Sequence, residues 1–197
     1  MVRMSWEEDQ EFERSWWGDC SNTFTEETKQ LTYAYKMGLT CYSNNGKWPC
    51  YDLNRKSVLD IGGGPVSILL KCENRSRYCM VMDPCEYPGW VEGRYQQSGV
   101  DYIRQKGEEE ILGFWDEVWI YNVLQHTEDP AQIIKNAKTV APILRIFEWI
   151  DLPAHEGHPQ ELKEDLLNEW IGGIGTTEHL NENGCYGKAY YGVFNTV

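Results

Sequence analysis

The stretch Val58-Leu59-Asp60-Ile61-Gly62-Gly63-Gly64 constrains the fold of this chain more than any other segment. A short apolar strand ends in three consecutive glycines. Pro65 follows, then a helix-compatible run from Val66. Glycine takes backbone conformations closed to other residues and lets a ligand approach without a Cβ in the way. A helix beginning there would aim its unpaired N–H groups and its positive dipole end at the turn. Strand, glycine turn and helix together would cradle a small polar ligand of the adenosine type.

Two ligand classes use such a cradle. A dinucleotide site wants G-x-G-x-x-G, the third glycine serving close helix–strand packing. Gly62 and Gly64 fit that pattern, but Ser67 stands at the third position. Asp60, two residues before the first glycine, has no part in it. Three further segments carry the same rhythm of strand and acid. Arg77–Met82 is apolar and ends at Asp83-Pro84, with Asp83 21 positions after Gly62 (83 − 62). That is close to the roughly 20-residue offset of an acid that grips ribose hydroxyls. Gln105-Lys106-Gly107-Glu108-Glu109 puts an acid after a glycine at the end of a third short strand. Phe114 to His126 holds a fourth strand that runs out through Asn122-Val123-Leu124-Gln125-His126.

In order and spacing, these four segments resemble the motifs of the class I S-adenosylmethionine-dependent methyltransferases. The resemblance covers about residues 57–195. Asp60 with Gly62 and Gly64 is similar to motif I of that family, and the fourth segment to its "F-D-x-V" and "V-L-x-H" ends. The resemblance implies an α/β fold: a Rossmann-like, doubly wound, seven-stranded sheet, mostly parallel with the last strand antiparallel. It implies S-adenosylmethionine as cofactor and S-adenosylhomocysteine as product. It implies cofactor contacts from Asp60, Gly62, Gly63, Gly64, Asp83, Pro84, Glu108 and Asn122, with Glu108 near the adenine amine. Asp116 is expected to be structural.

The end of the chain fits the same family. Thr176–Glu182 is polar, as an edge strand should be. Asn183-Gly184 is a strong hairpin-turn signal. Lys188–Asn195 is apolar or aromatic on both faces, which suits an inner strand. Dinucleotide folds lack such a reversed last strand.

Length and composition set limits. At 197 residues the chain can bury a core of ordinary size. No apolar run has transmembrane length, and the acidic, broken start does not read as a signal peptide. A cytoplasmic location without membrane association is therefore expected. The formal charge of −13 opposes binding to phosphate backbones, and no basic run exceeds two residues, so nucleic acid is disfavoured as a partner. Seven cysteines without a Cys-x-x-Cys pair read as reduced thiols, with neither a disulfide framework nor a zinc site. No metal is expected.

Two regions are expected: residues 1–56 as an aromatic-rich helical cap or lid, and 57–197 as the cofactor-binding domain. The first holds Trp6, Trp16, Trp17 and Trp48. Thr23-Phe24-Thr25-Glu26 matches a capping box, so a helix is predicted from about Phe24 to Met37, stopping at Gly38. Leu31, Ala34 and Tyr35 would form its inner stripe. Cys41–Asn54 reads as loop, with a turn at Asn44-Asn45-Gly46. Strands are expected near 57–61, 77–82, 117–123 and 143–150, almost continuously apolar as buried parallel strands are. Asp129-Pro130 predicts a helix over 130–139. His158-Pro159 repeats the device before a helix carrying Leu162, Leu166, Leu167, Trp170 and Ile171, which stops at Gly172-Gly173.

Ligands of open α/β sheets bind beyond the C-terminal ends of the strands. A methyl acceptor, either a small molecule or a peptide, belongs there, and His126 is the candidate general base. Trp17, Tyr33, His155 and His158 are candidate acceptor contacts. His155 and His158 are three apart, not the four of a helical zinc pair. Two other functions remain open: a methyltransferase fold that binds cofactor or a protein partner without catalysis, and an NAD-dependent oxidoreductase. Ser67, Asp60 and the terminal hairpin disfavour the second.

Overall fold

The structure, a computed structural model, describes residues 6–43, 49–76 and 78–196. Trp48, the Asn44-Asn45-Gly46 turn and Arg77 lie outside the described residues. The chain begins with two helices, α1 (Trp6–Trp17) and α2 (Phe24–Lys36). Strands β1 (Cys41–Ser43), β2 (Cys50–Asp52), β3 (Val58–Ile61), β4 (Cys72–Glu73) and β5 (Cys79–Met82) follow. Then come α3 (Gly89–Gln97), β6 (Asp101–Ile103), β7 (Glu117–Tyr121), α4 (Pro130–Val140) and β8 (Ile143–Trp149). The chain closes with α5 (Glu164–Ile171), β9 (Thr176–Glu182) and β10 (Cys185–Asn195).

Seven strands form one sheet in the order β6-β5-β3-β7-β8-β10-β9. The pairings from β6 through β8 are parallel. β10 runs antiparallel to both β8 and β9, so the last strand alone is reversed. This is the expected architecture. Asn183 and Gly184 both take positive φ, 48° and 76°, as the expected hairpin turn requires.

The sheet is covered on both faces. Tyr33, Ala34 and Met37 of the α2 region pack with Val91 and Tyr95 of α3 against Trp119 and Phe147. On the other face, Ile133, Ile134 and Ala137 of α4 and Leu167 and Ile171 of α5 meet Leu59, Val118 and Leu144. β3 and β7 are buried along their whole length, which explains why they are apolar apart from Asp60 and Glu117. Strand order reverses between β3 and β7, and the crevice opens beyond their C-terminal ends.

An ion pair anchors the opposite edge of β7. Glu117 takes hydrogen bonds from Arg145 Nε at 2.6 Å, Lys56 Nζ at 2.6 Å and Trp119 Nε1 at 2.9 Å. Burial pushes its carboxyl up, but these three donors outweigh that and hold it down at about 2. Beside it, Asp116 Oδ2 accepts from the Ser57 amide at 2.7 Å, the structural part expected of it.

Several local expectations are corrected. Cys41–Asn54 is not all loop: β1 and β2 pair with each other, and β2 pairs with β4, in a small second sheet. The helix expected after the glycines is a single 3₁₀ turn, Ile68–Lys71, because the chain leaves it to form β4. Thr23 makes no capping bond; its hydroxyl donates to Glu27 Oε1 at 2.8 Å. The inner stripe of α2 is Gln30, Tyr33 and Ala34, while Tyr35 is exposed. His158 caps no helix. His155 and His158 exchange two backbone hydrogen bonds of 3.0 Å across a turn at Glu156-Gly157, and α5 starts only at Glu164. Cys20, Cys50, Cys72, Cys79, Cys85 and Cys185 are free thiols, and no helix is long and apolar enough to cross a membrane among the described residues.

Candidate active site

The site is built around the turn after β3. Gly62 and Gly64 have φ of 73° and 62°, conformations that residues with a Cβ resist. A Cβ on Gly62 would stand 2.4 Å from the Val123 side chain, and one on Gly63 would stand 2.7 Å from Asp60 Oδ2. Gly64 donates its amide to Asp83 Oδ2 at 2.9 Å, and Cys85 donates to Asp83 Oδ1 at 2.9 Å. Burial raises the Asp83 carboxyl to about 6, against the pull of those two amides.

Beneath the turn lies a polar knot. Asp60 is fully buried and does not line the cavity. Its Oδ2 accepts from Tyr121 OH at 2.6 Å and from the Ser67 hydroxyl. Tyr95 OH donates to Gly64 O at 2.8 Å and accepts from the Ser67 amide at 2.8 Å. Tyr121 OH accepts from the Ile68 amide at 3.1 Å. Burial brings Asp60 up to about 7, although Ser67 and Tyr121 hold it down. The amides that a longer helix would have offered to a ligand are therefore already used inside the protein. The cradle works through the glycine backbone and Asp83, without a helix N-terminus.

A cavity of about 100 Å³ opens over this turn. Its floor is Gly62–Gly64. Asp83, Pro84, Glu108 and Asn122 line the cavity beside that turn. Glu108 also accepts from the amides of Glu128 and Asp129, at 3.1 and 3.3 Å, ahead of α4. The roof is α1, through Trp6, Gln10, Glu13 and Trp17. α1 is held at two places and approaches His126 at a third. Lys106 Nζ lies 3.4 Å from the centre of the Trp6 ring. Phe12 fills the space over Gly157, where a Cβ would meet its ring at 2.4 Å. Glu13 Oε2 is 3.7 Å from His126 Nδ1.

A second cavity of about 400 Å³ adjoins the first. The two share Glu13, Trp17, Glu26, Asn122 and His126. His155, His158 and Trp149 line the second. The His158 ring is centred 4.3 Å from both His126 and His155. His126 Nδ1 is 2.7 Å from Gly157 O. A carbonyl only accepts, so Nδ1 carries the proton and Nε2 the lone pair. Burial lowers His126 to about 4 and His158 to about 3. His126 is thus a neutral, weakly basic ring at physiological pH, below the ordinary histidine range that its expected base role assumed.

Asn122 has φ of 57°. Its loop is fixed from below by Glu148, which accepts from the amides of Val123 at 3.0 Å and Leu124 at 3.1 Å. Glu148 is fully buried, and burial raises it to about 8 despite those two amides.

The structure therefore brings together Gly62, Gly63, Gly64, Asp83, Pro84, Glu108 and Asn122 around one cavity. It sets Trp17, His126, His155 and His158 around the next. Tyr33 lines neither; it is fully buried, its ring centred 4.4 Å from that of Phe147. Sequence reasoning missed Glu13, Glu26, Tyr95, Tyr121 and Glu148. Glu26 had a local signal, but it read as a cap.

No protein-family model and no curated protein matches the chain. Solved structures do. The chain is similar to magnesium protoporphyrin IX methyltransferase from Synechocystis PCC 6803 with bound S-adenosylmethionine. The TM-score is 0.59 at 16% identity, with 97% of this chain and 98% of that chain covered. It is similar to the N-methyltransferase NodS from Bradyrhizobium japonicum WM9 in complex with S-adenosylhomocysteine, with TM-score 0.54, 14% identity, and 89% and 88% covered. It is similar to an S-adenosylmethionine-dependent methyltransferase from Aquifex aeolicus, with TM-score 0.53, 15% identity, and 96% and 98% covered. Sheet order, the reversed last strand and these likenesses agree: the chain has the Rossmann-like fold of the class I S-adenosylmethionine-dependent methyltransferases.

Proposed function

We propose that the protein is an S-adenosylmethionine-dependent methyltransferase acting on a small-molecule or peptide acceptor. The observation that carries this reading is the Gly62–Gly64 turn tied to Asp83, facing one cavity that opens into another. Structural neighbours that hold S-adenosylmethionine or S-adenosylhomocysteine support it. In this reading Gly62, Gly63 and Gly64 let the cofactor lie against the backbone. Asp83 accepts its ribose hydroxyls, Pro84 and Asn122 flank it, and Glu108 faces the adenine amine. Asp60 acts from below, through Ser67 and Tyr121, by holding the turn in shape.

The cofactor supplies the reactive methyl group; the protein supplies placement and a dry environment. Trp17, which lines both cavities where they meet, would offer a ring face that attracts the cofactor's cationic sulfur. His126 Nε2, which Gln125 Nε2 approaches at 3.4 Å, orients the acceptor by exchanging that contact for a hydrogen bond from it, and His155 and His158 extend that wall. Residues 1–56 serve as a cap over the domain of 57–197. The first cavity is smaller than the roughly 300–1,000 Å³ of most ligand pockets. The roof helix α1 must therefore lift to admit cofactor and settle again before transfer.

Incubation with methyl-labelled S-adenosylmethionine and a fractionated metabolite pool tests this reading. Label should appear in an acceptor fraction, with stoichiometric S-adenosylhomocysteine. Cofactor binding without any transfer would favour the second reading, a methyltransferase fold that binds without catalysis. The many exposed acids give that reading its support.

A further inference from the structure

The second cavity has walls of two kinds. Phe12, Trp16, Trp149 and Tyr186 supply aromatic surface. Glu13, Glu26 and Lys29 supply charge. Lys29 Nζ lies 3.3 Å from Glu26, which leaves that pair neutral together. No lysine or arginine lies within ion-pair distance of Glu13 among the described residues. Its Oε1 accepts only the neutral indole N–H of Trp17, at 2.8 Å. The His126 ring near its Oε2 is uncharged and directs its proton to Gly157 O. Glu13 is three-quarters buried and stands where the two cavities join. This is a carboxylate with no direct ionic partner, feeling Lys29 only from beyond contact distance and framed by aromatic rings, at the point through which a methyl group would pass.

Resting on the methyltransferase reading above, we infer that the acceptor is a protonated primary or secondary amine carried on a flat apolar frame, and that Glu13 holds its charge and takes its proton. Carboxylate and ring faces both favour a cation. An anionic acceptor would be repelled by Glu13 and would find Lys29 already engaged. An alcohol would need a much stronger base than a carboxylate. Burial raises Glu13 above its ordinary range, which brings it nearer to an ammonium group.

In the transfer, the bound ammonium passes one proton to Glu13. The nitrogen lone pair this frees forms the N–C bond to the methyl carbon. The C–S bond breaks, and its electron pair goes to sulfur, which becomes a neutral thioether. The product is a methylated ammonium, and Glu13 gives its proton to water. Ammonium and sulfonium thus become methylammonium, thioether and one released proton.

Binding of matched probes to the full chain saturated with S-adenosylhomocysteine tests this. The probes are phenethylamine, 2-phenylethanol and phenylacetate, with tryptamine, tryptophol and indole-3-acetate as a larger set. Each amine should bind at least about tenfold tighter than its alcohol, with the carboxylate weakest. In Glu13→Gln the preference for amine over alcohol should fall below about threefold. With labelled S-adenosylmethionine, mass spectrometry should find the new methyl on the amine nitrogen. An alcohol or carboxylate that binds as well as its amine overturns the inference. So does an amine preference that survives in Glu13→Gln, or binding of none of the six probes. Should the wild-type protein not bind S-adenosylhomocysteine at all, the methyltransferase reading itself falls; cofactor binding without amine preference removes this inference alone.

Discussion

Asp83 accepts the Gly64 amide at 2.9 Å, and this bond ties the end of β5 to the turn after β3. The acid expected to grip a ribose therefore also fixes the glycines on which the cofactor would lie. Each carboxylate oxygen has one backbone partner, Tyr87 donates to the same carboxylate, and the acceptor capacity that remains is open to a ligand. Asp83→Ala should weaken S-adenosylhomocysteine binding at least about tenfold, since hydrogen bonds to a charged group contribute roughly 1.5–3 kcal/mol. Burial raises Asp83 to about 6. Ribose hydroxyls donate better to the ionised carboxylate, so affinity should climb between pH 5 and 7. In Asp83→Asn that climb should vanish. Calorimetry across pH would show it, and equal affinity in Asp83→Ala would reject the assignment.

The turn itself admits no side chain. Gly62→Ala should cost about 1–3 kcal/mol of stability, from positive φ and the 2.4 Å approach to Val123. It should also abolish detectable cofactor binding. A thermal melt with and without S-adenosylhomocysteine measures both; a Gly62→Ala variant with wild-type melting and ligand shift would mean the turn is not the cradle.

This much was legible before any coordinates. Positive φ at Gly62 and Gly64 leaves a mark in composition, because almost no residue but glycine sits there comfortably. The Asn183-Gly184 turn is readable for the same reason. Asp129 caps α4 by accepting from Gln132 at 3.0 Å, as Asp-Pro implied. What escaped notice depends on distant partners. Nothing near Val66 shows that Tyr95 and Tyr121 take the amides of Ser67 and Ile68 and that the helix stops after one turn. Nothing near Glu13 shows that α1 lays it against His126. The His155–His158 turn did carry a signal, Glu156-Gly157, with Gly157 at φ 76°. Pro159 suggested a helix start instead, yet the chain stays irregular as far as Lys163.

Glu148 sets a pH dependence of stability. Its pKa rises from 4.5 to about 8 on folding, because burial disfavours the charge. The unfolded chain loses this proton first as pH rises. The stability contributed by the protonated form is thus complete below about pH 4.5 and is lost on the way up through 8. Glu148→Gln keeps an acceptor for the Val123 and Leu124 amides but cannot ionise. Relative to wild type it should gain stability from pH 5 to 8.5, on the order of a few kcal/mol at the upper end. Denaturant melts giving the same difference at both pH values would contradict the burial argument.

His126 should act on the acceptor rather than on the cofactor. His126→Ala should leave S-adenosylhomocysteine affinity within about threefold. It should raise the acceptor KM roughly tenfold, the loss of one positioning hydrogen bond. The kcat profile between pH 6 and 8 should keep its shape, because His126 is already neutral there with a pKa of about 4. A fall of about 10²–10⁴ in kcat would instead mark it as the general base.

Calorimetric titration of the full chain with S-adenosylhomocysteine, S-adenosylmethionine and NAD tests the central claim most directly. The expected result is one-to-one binding of both adenosylated sulfur ligands, with no heat from NAD. Binding of NAD, or silence from all three, would contradict the claim that the Gly62–Gly64 turn and Asp83 form a methyl-donor site.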